Sequence, residues 1–230
     1  MTSRRVPGVT TPKGSLRPKE VAEKMVFQAT PWDCERTQVF NVLAELLRRS
    51  PGENPASPRD LVFSCFNGAV PTPVGGKAGW FAKLAQRVGP RFEAVVSKPE
   101  GTARWANVTD ALSEEAASFP VIAVSSGYWA EVDTRPKELG DQEHCLALLS
   151  ADKVSAVVFD CYLNRICSMG HCELPLGRSI APGDAAVEVP LQRLFKYWEG
   201  TSPPRFYFYV RRLGYRLKSL AEFEEAKVAR

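Results

Sequence analysis

The hydrophobic period changes near the middle of this chain, and that change limits the folds open to it. Up to about residue 119 the apolar residues recur at helical spacing, and over the next forty or so residues they run continuously. Segment 34–49 sets Val39, Phe40, Leu43, Leu46 and Leu47 at helical spacing, and Ser50-Pro51-Gly52 stops the helix. Trp80, Phe81, Leu84 and Val88 share one face within 77–88, and 102–119 is a further helical stretch weakened by Asn107, Thr109 and Asp110. The short run LVFSCF at 61–66 fits helix or strand. Then PVIAVSS at 120–126, HCLALLS at 144–150 and VSAVVFD at 154–160 read as buried strands, with Ala151-Asp152-Lys153 the right length for a hairpin turn. EVPLQRLFKYW at 188–198 predicts an amphipathic helix, RFYFYVRR at 205–212 an alternating aromatic strand, and 216–229 a charged helical tail. Helices followed by strands argue an α+β domain with an antiparallel sheet.

At 230 residues and 44% hydrophobic, the chain can bury a substantial core without disulfides or metal. Its longest apolar runs fall short of the 18 or so residues that a membrane helix needs. The N-terminus is basic but has no apolar h-region, so no secretory signal is expected and the expected compartment is the cytoplasm. Paired CxxC knuckles, GxxxxGK[ST] and GxGxxG loops and sustained heptads are all missing from the sequence. The positive charge lies at the ends. Residues 1–24 carry Arg4, Arg5, Lys13, Arg17, Lys19 and Lys24 against two acidic side chains, and 205–230 carry seven basic against three acidic. The expected organisation is a flexible basic arm over 1–24, one domain over 25–212 and a helical tail over 213–230. Solvated tails explain this charge without nucleic acid.

Six cysteines and two histidines bear on chemistry. A thiol nucleophile needs a base within hydrogen-bond reach and a third group to orient that base. A helix N-terminus further favours the thiolate. Cys34 opens the 34–49 helix. Gln28, six positions earlier in an extended lead-in, is placed to supply a side-chain amide which, with the Cys34 N–H, would make a two-donor oxyanion hole. His144 begins one strand of the expected hairpin and Asp160 ends the other. Both therefore belong at the same open end, where Asp160 would hold the imidazole tautomer.

Together, Gln28-x5-Cys34 opening a helix, His144 on a strand and Asp160 on the next resemble the papain-like cysteine peptidase superfamily. The nearest branch is that of bacteriocin-processing peptidases, which cut leaders after a double glycine. Relatives in that branch carry an Asp-Cys-x-x-Thr stretch running into a helix with an Asn, here Asp33-Cys34-Glu35-Arg36-Thr37 and Asn41. An aromatic-x-x-Trp-x-Gly ending on the last helix is matched by Phe195 to Gly200. The resemblance spans roughly 26–212 and implies the papain-like fold. It makes Cys34 the nucleophile, His144 the base, Asp160 the orienter and Gln28 the oxyanion donor. The implied activity is that of a thiol protease: hydrolysis of a peptide or isopeptide bond in a peptide or protein substrate, with no metal or organic cofactor. Acyl transfer at the same site, and an inactive scaffold that binds a protein partner through the cleft, stay open as alternatives. Glu35 and Arg36 depart from the small residues that usually follow the cysteine.

Cys65, Cys145 and Cys161 sit in apolar runs and read as packing. Cys167, His171 and Cys172 share the long polar segment 164–187. That segment lacks the knuckle spacing of a zinc site, so loop cysteines are the favoured reading over metal or disulfide. Phe206 to Tyr209 read as two covered strand faces rather than a platform for nucleic-acid bases.

Overall fold

The computed structural model describes residues 17–27, 34–48, 92–97, 103–125, 128, 143–162, 185–201 and 204–213. Within them the elements follow in the order α1 (Pro18–Ala22), α2 (Cys34–Arg48), β1 (Phe92–Val96), α3 (Trp105–Ser113), β2 (Val121–Val124), β3 (His144–Ala151), β4 (Ser155–Phe159), β5 (Ala186–Pro190), α4 (Leu191–Glu199) and β6 (Tyr207–Arg212). The strands form one six-stranded sheet in the order β1-β6-β2-β3-β4-β5, and each pair is antiparallel. The α+β class expected from the order of periodicities is therefore what the chain forms. No helix among the described residues is long and apolar enough to cross a membrane.

Every residue of β2 and β3 is buried, so both faces of the central strands are covered. That is why their sequences run continuously apolar instead of alternating. The core gathers Val39, Val42, Leu43 and Leu46 of α2 with Ile122, Leu146, Leu148, Val158 and Phe208 of the sheet. Helix α2 packs on β2 and β3, and α4 packs on β2 and β5.

Several boundaries differ from the sequence reading. The basic arm does not extend to residue 24: α1 packs on β3 and β5, and Val21, Ala22 and Met25 join the core. The apolar triplet was hidden in a stretch dominated by charge. The helix expected over 188–198 begins only at Leu191, because Val187, Glu188 and Val189 pair with β4 as a strand. Pro190, with its fixed φ and no N–H, stands where strand gives way to helix. Strand β5 thus also takes Ala186 and Val187 from the polar segment. Strand β1 was not foreseen from FEAVV.

The hairpin turn lies one residue later than expected. Asp152 accepts from the N–H groups of Val154 and Ser155, both at 2.7 Å, and this local capture fixes the turn. The helix expected over 102–119 contracts to Trp105–Ser113. Asn107 reaches back to the Arg104 N–H at 2.9 Å and caps its start, and the Thr109 hydroxyl donates to the carbonyls of Trp105 and Ala106. The readings for 61–66, 77–88 and the 213–230 tail fall outside the described residues, apart from Leu213.

Candidate active site

Cys34 is the first residue of α2, and its thiol meets the open end of the β3–β4 hairpin. There His144 starts β3 and Asp160 follows directly on β4. The two hairpin residues are brought together: His144 Nε2 and Asp160 Oδ1 are 2.9 Å apart. The same carboxylate oxygen accepts from the Tyr162 N–H at 3.0 Å, and the Asp160 N–H donates to Ala185 O. The aspartate is thus held by backbone on both sides. The Cys34 thiol lies beside the His144 ring, close enough for each group to act on the other's proton. Since Asp160 occupies Nε2, the nitrogen left for the thiol is Nδ1. All three groups are nearly sealed from solvent, at 8%, 4% and 3% exposure for Cys34, His144 and Asp160.

These contacts move both titrations. The Cys34 thiol is pulled well below the ordinary range. A hydrogen bond from the Cys145 side chain acts most strongly; burial opposes it; the His144 hydrogen bond and charge and the Cys145 N–H add to it. The start of α2 adds partial positive charge at the same spot. For His144, burial is the largest influence and would push it down. The charge and hydrogen bond of Asp160, together with Cys34, outweigh burial and raise it to about 9. One group loses its proton more readily and its neighbour keeps one more tightly, the two directions that a thiolate–imidazolium pair requires.

The sequence reading assigned Cys145 and Cys161 to packing. Both are buried, but they also adjoin Cys34: Cys145 through the influences just described, and Cys161 through an Sγ contact of 3.9 Å to the Cys34 carbonyl. Gln38 was also missed. It lies one helical turn after Cys34, fully buried, and its Nε2 donates to Cys145 O at 3.2 Å and Phe159 O at 2.8 Å. The available signal was an amide at position i+4 from Cys34, on the side of the helix that should be apolar.

Asn41 binds the main chain of Val26 in both directions, accepting from its N–H at 2.8 Å and donating to its carbonyl at 3.0 Å. This imitates a strand pair and fixes the lead-in two residues before Gln28. Gln28 itself, with Cys65, Cys167, His171 and Cys172, lies outside the described residues.

The Phe195–Gly200 stretch supports the site from behind. Trp198 donates from Nε1 to Phe206 O at 2.7 Å and packs edge-on against Trp105, tying α4 to the approach of β6. At Gly200 an added Cβ would lie 3.0 Å from Ser125 Oγ, so the absent side chain lets α4 end against the close of β2. Val124, beside Ser125, is the pairing partner of His144.

No protein-family model matches this chain, and no curated protein matches it.

Proposed function

We propose that the protein is a cysteine peptidase-like hydrolase of papain-like fold, acting on a peptide or isopeptide bond through Cys34, His144 and Asp160. The observation that carries this reading is one buried line of contacts, from the Cys34 thiol to the His144 ring and from His144 Nε2 to Asp160 at 2.9 Å. A thiol at a helix start facing a base and a carboxylate on adjacent strands also fits the papain-like family that the sequence resembles.

The thiolate adds to the substrate carbonyl carbon, and the carbonyl π pair moves onto oxygen. The Cys34 N–H stabilises that oxyanion, joined by the Gln28 amide in the arrangement the resemblance implies. Collapse expels the amine, which takes the imidazolium proton from His144 and leaves an acyl thioester on Cys34. Neutral His144 then removes a proton from water, the hydroxide adds to the thioester, and the carboxylic acid departs as the thiolate returns. Asp160 holds the ring so that Nδ1 faces the sulfur.

The test is hydrolysis of a broad peptide library together with iodoacetamide labelling. The expected result is rapid alkylation at Cys34 alone at pH 6–7, and loss of both cleavage and fast labelling in Cys34→Ala. Uniform slow labelling of every accessible thiol, or unchanged cleavage by Cys34→Ala, would remove the proposal.

A further inference from the structure

We propose that Gln38 is the positioning residue of this site: its amide locks the nucleophile's helix to the two strands that carry the base and the orienter. This rests on the Cys34–His144–Asp160 reading and adds to it a group that touches none of the reacting atoms.

The geometry is specific. Gln38 stands at i+4 from Cys34, on the same side of α2. Its two acceptors are the carbonyl of Cys145, the residue after His144, and the carbonyl of Phe159, the residue before Asp160. A carbonyl can only accept, so the NH2 end of the amide must face both. Pairing between β3 and β4 at this end stops at Ala147 and Phe159. The Cys145 carbonyl lies beyond that last pair, and Gln38 fastens it there. Cys145 thereby lies between the two groups, its N–H favouring the Cys34 thiolate and its C=O bonded to Gln38.

The other end of the amide argues in the same direction. Gln38 Oε1 is buried and has no hydrogen-bond partner among the described residues. An apolar side chain of equal length would seal the same gap without an orphaned acceptor. The residue therefore fits its place by its donors. A shift of about 1 Å between reacting groups is enough to cost about 10²-fold in rate, so a clamp spanning the three elements bears on chemistry as well as folding.

The test compares wild type with Gln38→Met, which keeps length and removes the donors, and Gln38→Glu, which in this buried place is protonated at pH 6 and restores one donor there. Cys34 alkylation by iodoacetamide is followed by mass spectrometry at pH 6 and pH 10, with thermal unfolding as the check on folding. At pH 10 the thiolate forms without help from His144, so equal rates there show that access is unchanged. The expected result is a pH 6 rate lowered about 10-fold or more in Gln38→Met, an intermediate pH 6 rate in Gln38→Glu, and equal rates of wild type and Gln38→Met at pH 10. A folded Gln38→Met that unfolds at lower temperature yet keeps the wild-type ratio of the two rates overturns the proposal and leaves Gln38 a cross-link of the fold. If Gln38→Met does not fold, Gln38→Glu decides: an intermediate rate at pH 6 supports the clamp and a wild-type rate refutes it. If wild-type Cys34 itself labels slowly at pH 6, it is the triad reading that falls.

Discussion

Replacing Asp160 with Asn removes one negative charge while preserving side-chain size and the oxygen to which His144 and Tyr162 bond. With Nε2 and Oδ1 2.9 Å apart, the two charge centres are separated by about 4 Å. At an effective dielectric of about 20 that is an interaction of about 4 kcal/mol. One pKa unit corresponds to about 1.36 kcal/mol, so the carboxylate accounts for about three units. The wild-type imidazolium holds its proton to about pH 9. In Asp160→Asn, burial is no longer outweighed and His144 should titrate at about pH 6 or below. Cys34 loses its cationic neighbour, and its fast labelling at pH 7 should fall at least 10-fold. Nitrogen-15 NMR of the imidazoles reads this directly, because the chain has only two histidines and His171→Ala identifies the other. A His144 that still titrates near 9 in folded Asp160→Asn would refute the electrostatic argument.

Four further outcomes follow from the same contacts. The His144 pKa is raised from 6.5 to about 9 on folding, so its stabilisation, about 3 kcal/mol, is full below pH 6.5 and lost as pH rises through 9. The stability gap between wild type and Asp160→Asn, from denaturant unfolding, should accordingly shrink between pH 7 and pH 10. Hydrolysis should decline above about pH 9 as the leaving amine loses its proton donor, and a flat rate to pH 10.5 would contradict that role for His144. Trp198→Phe removes the 2.7 Å donor to the Phe206 carbonyl, which keeps the Ala123 N–H at 3.2 Å, and should cost about 0.5–1.5 kcal/mol in chemical denaturation. Asn41→Leu should cost a similar amount by the same measurement, since it unpairs both main-chain groups of Val26.

The class of the fold was legible because it follows from period and order: continuous apolar runs gave β2, β3 and β4, and the turn residues between them placed His144 and Asp160 at one end. Elements whose signal is carried by few residues were not legible. Helix α1 and the turn after it present three buried apolar residues in a charged stretch, and β5 has only four residues before Pro190. The meeting of Cys34, His144 and Asp160 in one candidate site was readable because helix start and hairpin register place them, whatever their chemistry. Gln38 and Cys145 escaped because their importance lies in contacts to backbone across 107 and 121 residues of chain, in the case of Gln38, and in proximity to Cys34, in the case of Cys145. No local pattern encodes such contacts.

The distance along the chain between Cys34 and the β3–β4 hairpin also sets when the thiol becomes reactive. Helix α2 can form from local contacts alone, and so can the hairpin, but their meeting closes a loop of more than a hundred residues and belongs to the slow, non-local part of folding. During synthesis the cysteine is exposed long before Asp160 has been made, and over that interval it is an ordinary thiol with an ordinary proton. Reactivity arrives with tertiary closure, which makes alkylation of Cys34 at low pH a clock for completed folding.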